Sequence, residues 1–191
     1  MTALPLRCAC GAITGTFDAE PGCASRGVCY CSDCQAYGRW LGRDDVLNAH
    51  GGTEILQTWP ARVRIDGEVS LLRLSAKGLH RWYAACCRVP LANSFGSPRM
   101  PFLGLAAQFV EDRSALEPLF GPAQGVQGRF APGGCPPGVY PSASLGVIAG
   151  ALSLLARGAW SGANTPHPVF GPAPRAVARV LTPEERAKLG G

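Results

Sequence analysis

Charge is scarce in this chain: Asp, Glu, Lys and Arg make up 16% of its 191 residues, against a usual share of about a quarter. That scarcity excludes a coiled coil or a highly charged tail. With no lysine- or arginine-rich run, it also argues against nucleic acid as a partner. No stretch approaches the roughly 18 consecutive apolar residues of a membrane span. The opening MTALPLRCACGAITG has one early arginine and no apolar run of secretory-signal length. The expectation is a cytoplasmic protein without a membrane partner. Histidine is rare as well. His50, His80 and His167 are the three in the chain; none pairs with another at ligand spacing, so each reads as a surface or capping residue. No phosphate-cradling G-x-x-x-x-G-K-[ST] loop, G-x-S-x-G elbow or H-E-x-x-H helix occurs.

What is present is apolar and rich in turns, with 47% hydrophobic residues, 25 glycines and 17 prolines. This is enough to bury the core of one ordinary domain. The net charge of +5 is mild and favours anionic ligands without demanding nucleic acid.

Residues 1–120 read as mainly β. Asp66-Gly67 between residues 63–65 and 69–74 predicts a hairpin with a two-residue turn. Residues 13–17, 54–59 and 103–110 are further strand candidates, and residues 112–119 a short helix. Such small elements, pinned by cysteines, suggest an open barrel or a pair of small sheets. Residues 121–141 hold six glycines and five prolines, a density that predicts a connector without regular structure.

Residues 142–191 form a C-terminal extension with one or two helices. Ser142 is a candidate N-cap, Leu145, Ile148, Leu152 and Leu155 recur at helical spacing, and Arg157-Gly158 reads as a stop. Val147, Ala151 and Leu154 are apolar on the other side. At about four turns the helix is too short for a bilayer. It should bury its leucines against the β-domain or a second copy of the chain, as in a homo-oligomer. Thr182-Pro183-Glu184-Glu185 announces a last helix with a capping box.

Nine cysteines in a reducing compartment point to metal or catalysis rather than disulfides. Three clusters stand out: Cys8-Ala9-Cys10-Gly11, Cys29-Tyr30-Cys31-Ser32-Asp33-Cys34 and Cys86-Cys87. With random placement C-x-C would appear roughly 0.4 times and C-x-C-x-x-C about 0.02 times, so the triplet is the strong signal. Zinc takes four thiolates in a closed tetrahedron, or three protein ligands plus an open position in catalytic sites. Cys8, Cys10, Cys86 and Cys87 can make the first, a structural zinc. Cys29, Cys31 and Cys34 can make the second, giving about two Zn2+ per chain. Adjacent residues on a strand point to opposite faces, so Cys86 and Cys87 share a metal only if the backbone turns between them. The isolated Cys23 and Cys135 read as small buried hydrophobes.

These stretches, Arg7-Cys8-Ala9-Cys10-Gly11, Val28-Cys29-Tyr30-Cys31-Ser32-Asp33-Cys34-Gln35 and Trp82-Tyr83-Ala84-Ala85-Cys86-Cys87, resemble the glutathione-dependent formaldehyde-activating enzyme family, which includes centromere protein V. The resemblance covers about the first 120 residues. It implies an Mss4-like β-tent with two zinc ions, one structural and one near the substrate. The chain departs from the family in its last motif, usually Cys-x-x-Cys-Gly but here Cys86-Cys87-Arg88, and at Tyr30, often histidine. The implied activity is that of a carbon–sulfur lyase acting on a small thiol adduct, with glutathione as the thiol. Arg39 and Arg43, just after the triplet, are candidates for holding the carboxylate of such a thiol. The alternative is a non-catalytic zinc module for protein or nucleic-acid interaction. An iron–sulfur protein is a third idea that the cysteine count allows, and the colour of the purified protein would reveal it.

Overall fold

In chain order the chain forms β1 (Thr2–Arg7), β2 (Thr14–Ala19), β3 (Ala24–Cys29), α1 (Ser32–Leu41), β4 (Thr53–Thr58), β5 (Val63–Asp66), β6 (Ser70–Arg73), β7 (His80–Tyr83), β8 (Pro90–Ser94), β9 (Leu103–Ala106), α2 (Leu116–Phe120), β10 (Gln124–Val126), α3 (Leu145–Trp160), β11 (Ala178–Val180) and α4 (Pro183–Ala187). This structure, a computed structural model, describes residues 1–43 and 45–190. The fold is mainly β, as the sequence led us to expect. The strands lie in a three-stranded sheet, β1-β2-β5, and an eight-stranded sheet, β10-β3-β4-β9-β8-β7-β6-β11.

Period-two burial builds the small sheet. Leu4 and Leu6 of β1 and Phe17 and Ala19 of β2 point inward, with Leu4 opposite Phe17 and Val63 of β5 on the far side of Phe17. The large sheet meets this face with Leu56, Trp82, Leu91, Leu103 and Leu105, and all of these share one core with Phe17 and Phe109. A second core forms on the other side of β6. Leu71 joins the first core, while its neighbour Leu72 packs with Ala36, Tyr37 and Leu41 of α1, as strand alternation requires.

Two sequence expectations are corrected here. Asp66-Gly67 does turn the chain, Gly67 having φ +106°, but β5 pairs with β2 and β6 with β7. The turn thus carries the chain from one sheet to the other instead of closing a hairpin. Residues 121–141 also contain regular structure. β10 pairs in parallel with β3 at one edge of the large sheet, and β11 does the same with β6 at the other edge.

Helix α3 forms, but with other boundaries and a different inward face than expected. Its N-cap is Ser144, whose hydroxyl accepts from the Val147 amide at 3.3 Å, and it continues past Gly158 to Trp160. Leu154 and Gly158 are buried, whereas Leu145, Ile148 and Leu152 stand 85%, 44% and 60% exposed. The stripe Val147–Ala151–Leu154–Gly158 wins because glycine permits close approach: a Cβ on Gly158 would lie 2.6 Å from the Trp59 ring. The Trp59 indole NH donates to the Leu154 carbonyl at 2.8 Å, and Arg157 donates to the Gly22 carbonyl at 3.0 Å. The last helix carries its capping box as the sequence indicates, with Thr182 and Glu185 bonded reciprocally. No helix among the described residues is long and apolar enough to cross a membrane.

The tail is therefore part of the sheet and the core. Leu154→Ala should cost about 2–5 kcal/mol of stability, the usual range for a buried leucine. Removal of everything from Gly121 onward should expose apolar surface and cause aggregation or a large fall in melting temperature. A truncated protein as soluble and heat-stable as the whole would contradict this placement.

Candidate metal sites

The first site lies where two turns meet. Cys8 and Cys10 sit in the connection from β1 to β2, where the Cys8 amide donates to the Ile13 carbonyl at 2.9 Å and the Gly11 amide to the Cys8 carbonyl at 2.9 Å. Gly11 has φ +78°, a conformation in which a side chain is strained. The Ile13 amide donates to the Cys8 Sγ at 3.2 Å, which fixes the direction of that sulfur. Cys86 and Cys87 sit in the turn between β7 and β8. That turn is closed by the Arg88 amide, which donates to the Ala84 carbonyl at 2.7 Å, and by a left-handed Arg88 at φ 58°.

The backbone does turn between the adjacent cysteines, so both reach the site. The four sulfurs all lie within 4.8 Å of one another. Zn–S bonds of about 2.3 Å in a tetrahedron require sulfurs about 3.8 Å apart. The observed separations are 3.6 Å for Cys8–Cys10, 3.9 Å for Cys8–Cys86, 3.2 Å for Cys10–Cys86 and 3.8 Å for Cys86–Cys87. The donor set fits zinc. The exposed Cys10 thiol is brought down to about 7 by the Ala12 backbone, Cys86 and Cys8, while Cys86 is pushed up to about 12, chiefly by its bond to Cys10.

The second site is the junction of β3 and α1. Cys29 ends the strand, Cys31 is the N-cap of the helix and Cys34 lies in its first turn. A strand running directly into a helix N-terminus brings the three Sγ atoms within 4.8 Å of one another. Among the described residues no fourth Cys, His, Asp or Glu joins them. The Cys31 thiol is lowered to about 2 because the Cys29 and Cys34 thiols donate to it. Cys29 is correspondingly pushed up by Cys31, Cys34 and burial. At Cys34 the bond with Cys29 pulls down, but the bond to Cys31 and burial prevail and raise it to about 11.

The loop between strand and helix is tied to the Gly/Pro-rich segment. The Tyr30 amide donates to the Val126 carbonyl at 3.0 Å. The buried Gln35 carboxamide donates to the carbonyls of Tyr30 and Phe130, both at 2.7 Å.

Arg39 and Arg43 are not gathered around the triplet. The Arg39 guanidinium donates to the Leu189 carbonyl at 2.6 Å and to Gln35 at 2.9 Å. Arg43 reaches the four-cysteine site instead, where it donates to the Cys87 carbonyl at 3.0 Å and pairs with Asp45 at 2.8 Å.

The cation whose charge acts on Cys31 and Cys34 is Arg81 of β7, which the sequence reading missed. It is 3% exposed, and its guanidinium lies over the Tyr37 ring, one helical turn beyond Cys34, at 5.1 Å. Its hydrogen bond to Asn93 is long, 3.5 Å, and no carboxylate pairs with it among the described residues. An arginine flanked by His80 and Trp82 in a short strand gives no sequence signal of burial.

Of the remaining candidates, Cys23 is buried as expected, but Cys135 is exposed. His50 is exposed and His167 half-buried, accepting from the Val169 amide at 3.3 Å. His80 is buried against Phe170 and Trp82 rather than at the surface.

The molecule is thus a mainly β protein with two cysteine groups able to hold metal. Residues 1–180 match DUF6151, a family of unknown function, and the chain belongs to it. No curated protein matches the chain.

Protein purified without chelator should carry about two zinc ions per chain by elemental analysis. Cys8→Ser or Cys87→Ser should lower the melting temperature sharply, because a closed site contributes folding energy. Cys31→Ser should remove one zinc with a smaller thermal effect. Protein free of zinc, or variants melting like the wild type, would count against these roles.

Proposed function

We propose that the protein is a zinc-dependent enzyme that forms or breaks a carbon–sulfur bond in a small thiol adduct. This is the chemistry of the formaldehyde-activating enzymes that its cysteine pattern resembles. The observation that carries the reading is the unequal donor count of the two sites, four sulfurs in one and three in the other. Four thiolates saturate a tetrahedral ion; three leave a position for an external sulfur. When bound, zinc supplies Lewis acidity at that position and makes an entering thiol more acidic.

The chain's own residues hold the three sulfurs through the start of α1 and place the buried Arg81 charge beside them. In the reaction the thiol gives up its proton, and a sulfur lone pair adds to an aldehyde carbon. The carbonyl π pair moves to oxygen, which takes a proton. Cleavage of the hemithioacetal is the reverse, and neither direction needs an oxidant or reductant. The cavity that includes Cys29 offers Ser25, Gln57 and Gln124 as polar groups for the carbonyl oxygen.

The test is the exchange rate between formaldehyde and its thiol adduct, followed by NMR with 2-mercaptoethanol and with glutathione. The full-length protein should accelerate exchange, and Cys31→Ser should abolish the acceleration while remaining folded. No acceleration with either thiol would overturn the catalytic reading in favour of a non-catalytic zinc module.

A further inference from the structure

The surroundings of the three-cysteine site say which kind of thiol it takes, an inference that rests on the open position proposed above. Cys29 shares one face of β3 with Ser25 and Gly27. The register places Gln57 opposite Ser25, Ile55 and Gln124 on either side of Gly27, and Val126 beside Cys29. These residues line a cavity of about 80 Å3 roofed by Val147 of α3. Gly27 contributes no side chain, so the floor between Ser25 and Cys29 stays open. The cavity continues past Ser25 into a wider hollow bounded by Pro122, Gly146 and Gly150.

Among the described residues Arg26 is the one charged residue along both, and its charge is committed. It lies 2.6 Å from Glu54 and 3.6 Å from Glu117, and it donates to the Gly121 carbonyl at 3.2 Å. Arg39 and Arg43 are engaged elsewhere, as described above.

The buried cation whose charge acts on the site is Arg81. Three thiolates with one divalent ion sum to a charge of −1, which this single guanidinium offsets. Among the described residues that line the groove, no cation without a carboxylate partner is left to receive a carboxylate. A buried carboxylate without a partner is strongly disfavoured, whereas the walls formed by Ile55, Val126 and Val147 favour methylene groups at about 0.8 kcal/mol each. At roughly 10–15 Å3 per water-sized group, the 80 Å3 beside Cys29 is filled by a short chain, and a longer thiol has to place its remainder in the wider hollow beyond Ser25.

We infer that the groove beneath α3 is the substrate groove of the three-cysteine site and that it takes a small, uncharged aliphatic thiol in preference to glutathione or any other anionic thiol.

The experiment uses the full-length protein loaded with cobalt(II), whose sulfur charge-transfer bands report changes at the cysteine sites. It is titrated with 1-propanethiol, with thioglycolate (similar in size but anionic) and with glutathione. The expected result is half-saturation by 1-propanethiol at a concentration at least about tenfold below that for either anion, with the response lost in Cys31→Ser. Val147→Trp, which fills the roof, should weaken the 1-propanethiol response while leaving the protein's own cobalt bands unchanged. Val147→Arg should shift preference toward thioglycolate.

Half-saturation by glutathione or thioglycolate at an equal or lower concentration would overturn the inference. So would a Val147→Trp protein that binds 1-propanethiol as the wild type does. If cobalt binds at Cys29, Cys31 and Cys34 and none of the three thiols perturbs it, the open position itself is refuted, and the inference falls with it.

Discussion

Two turns that belong to different sheets bring four sulfurs within 4.8 Å of one another. Cys8 and Cys10 leave the three-stranded sheet after β1, and Cys86 and Cys87 leave the eight-stranded sheet after β7. Cys8 and Cys86 are 78 positions apart, so the unfolded chain gains little from closing that loop without a ligand. A metal held by thiolates couples its binding energy to folding. The same approach of the two sheets lets Phe17, Trp82 and Leu103 share one core, and β7 of the larger sheet presents Arg81 to Tyr37 of α1.

The cysteine clusters were legible because their chemistry is local: two or three positions of spacing on a turn suffice to aim sulfurs at a point. The partnership of Cys86 with Cys87 could be named from the sequence but not settled. It depends on Arg88 taking a left-handed conformation, which an arginine does not advertise. Helix α1 was missed because its buried residues, Cys34, Gln35, Ala36, Tyr37, Gly38 and Leu41, mix polar and small types and give little apolar periodicity. In α3 the apolar residues occupy both sides, so pattern alone could not choose. The packing of Gly158 on Trp59 decides it, and that contact joins residues about a hundred positions apart.

The Gly/Pro-rich segment shows how composition can mislead about role. Its glycines and prolines leave few side chains to build a core, which is why it reads as a connector. Its contribution is made by the backbone. The Val126 and Phe130 carbonyls receive the Tyr30 amide and the Gln35 carboxamide, and these bonds hold the loop between Cys29 and Cys34. The C-terminal residues brace the same helix from the other side, through the Arg186–Asp33 pair and the Leu189 carbonyl. A site that sits at a strand–helix junction needs such support, because neither element alone fixes the angle between them.

Arg81 explains why that junction can be buried at all. A guanidinium so deeply enclosed, with one long bond to Asn93, is costly unless a negative charge lies close by. Without metal, the Cys29 and Cys34 thiols donate to the Cys31 sulfur and hold its thiol well below the usual range, so negative charge gathers where the Arg81 charge acts. With a divalent ion and three thiolates the sum would be −1. In either case the buried cation meets a negative partner, and the β7–α1 contact has an electrostatic reason to persist.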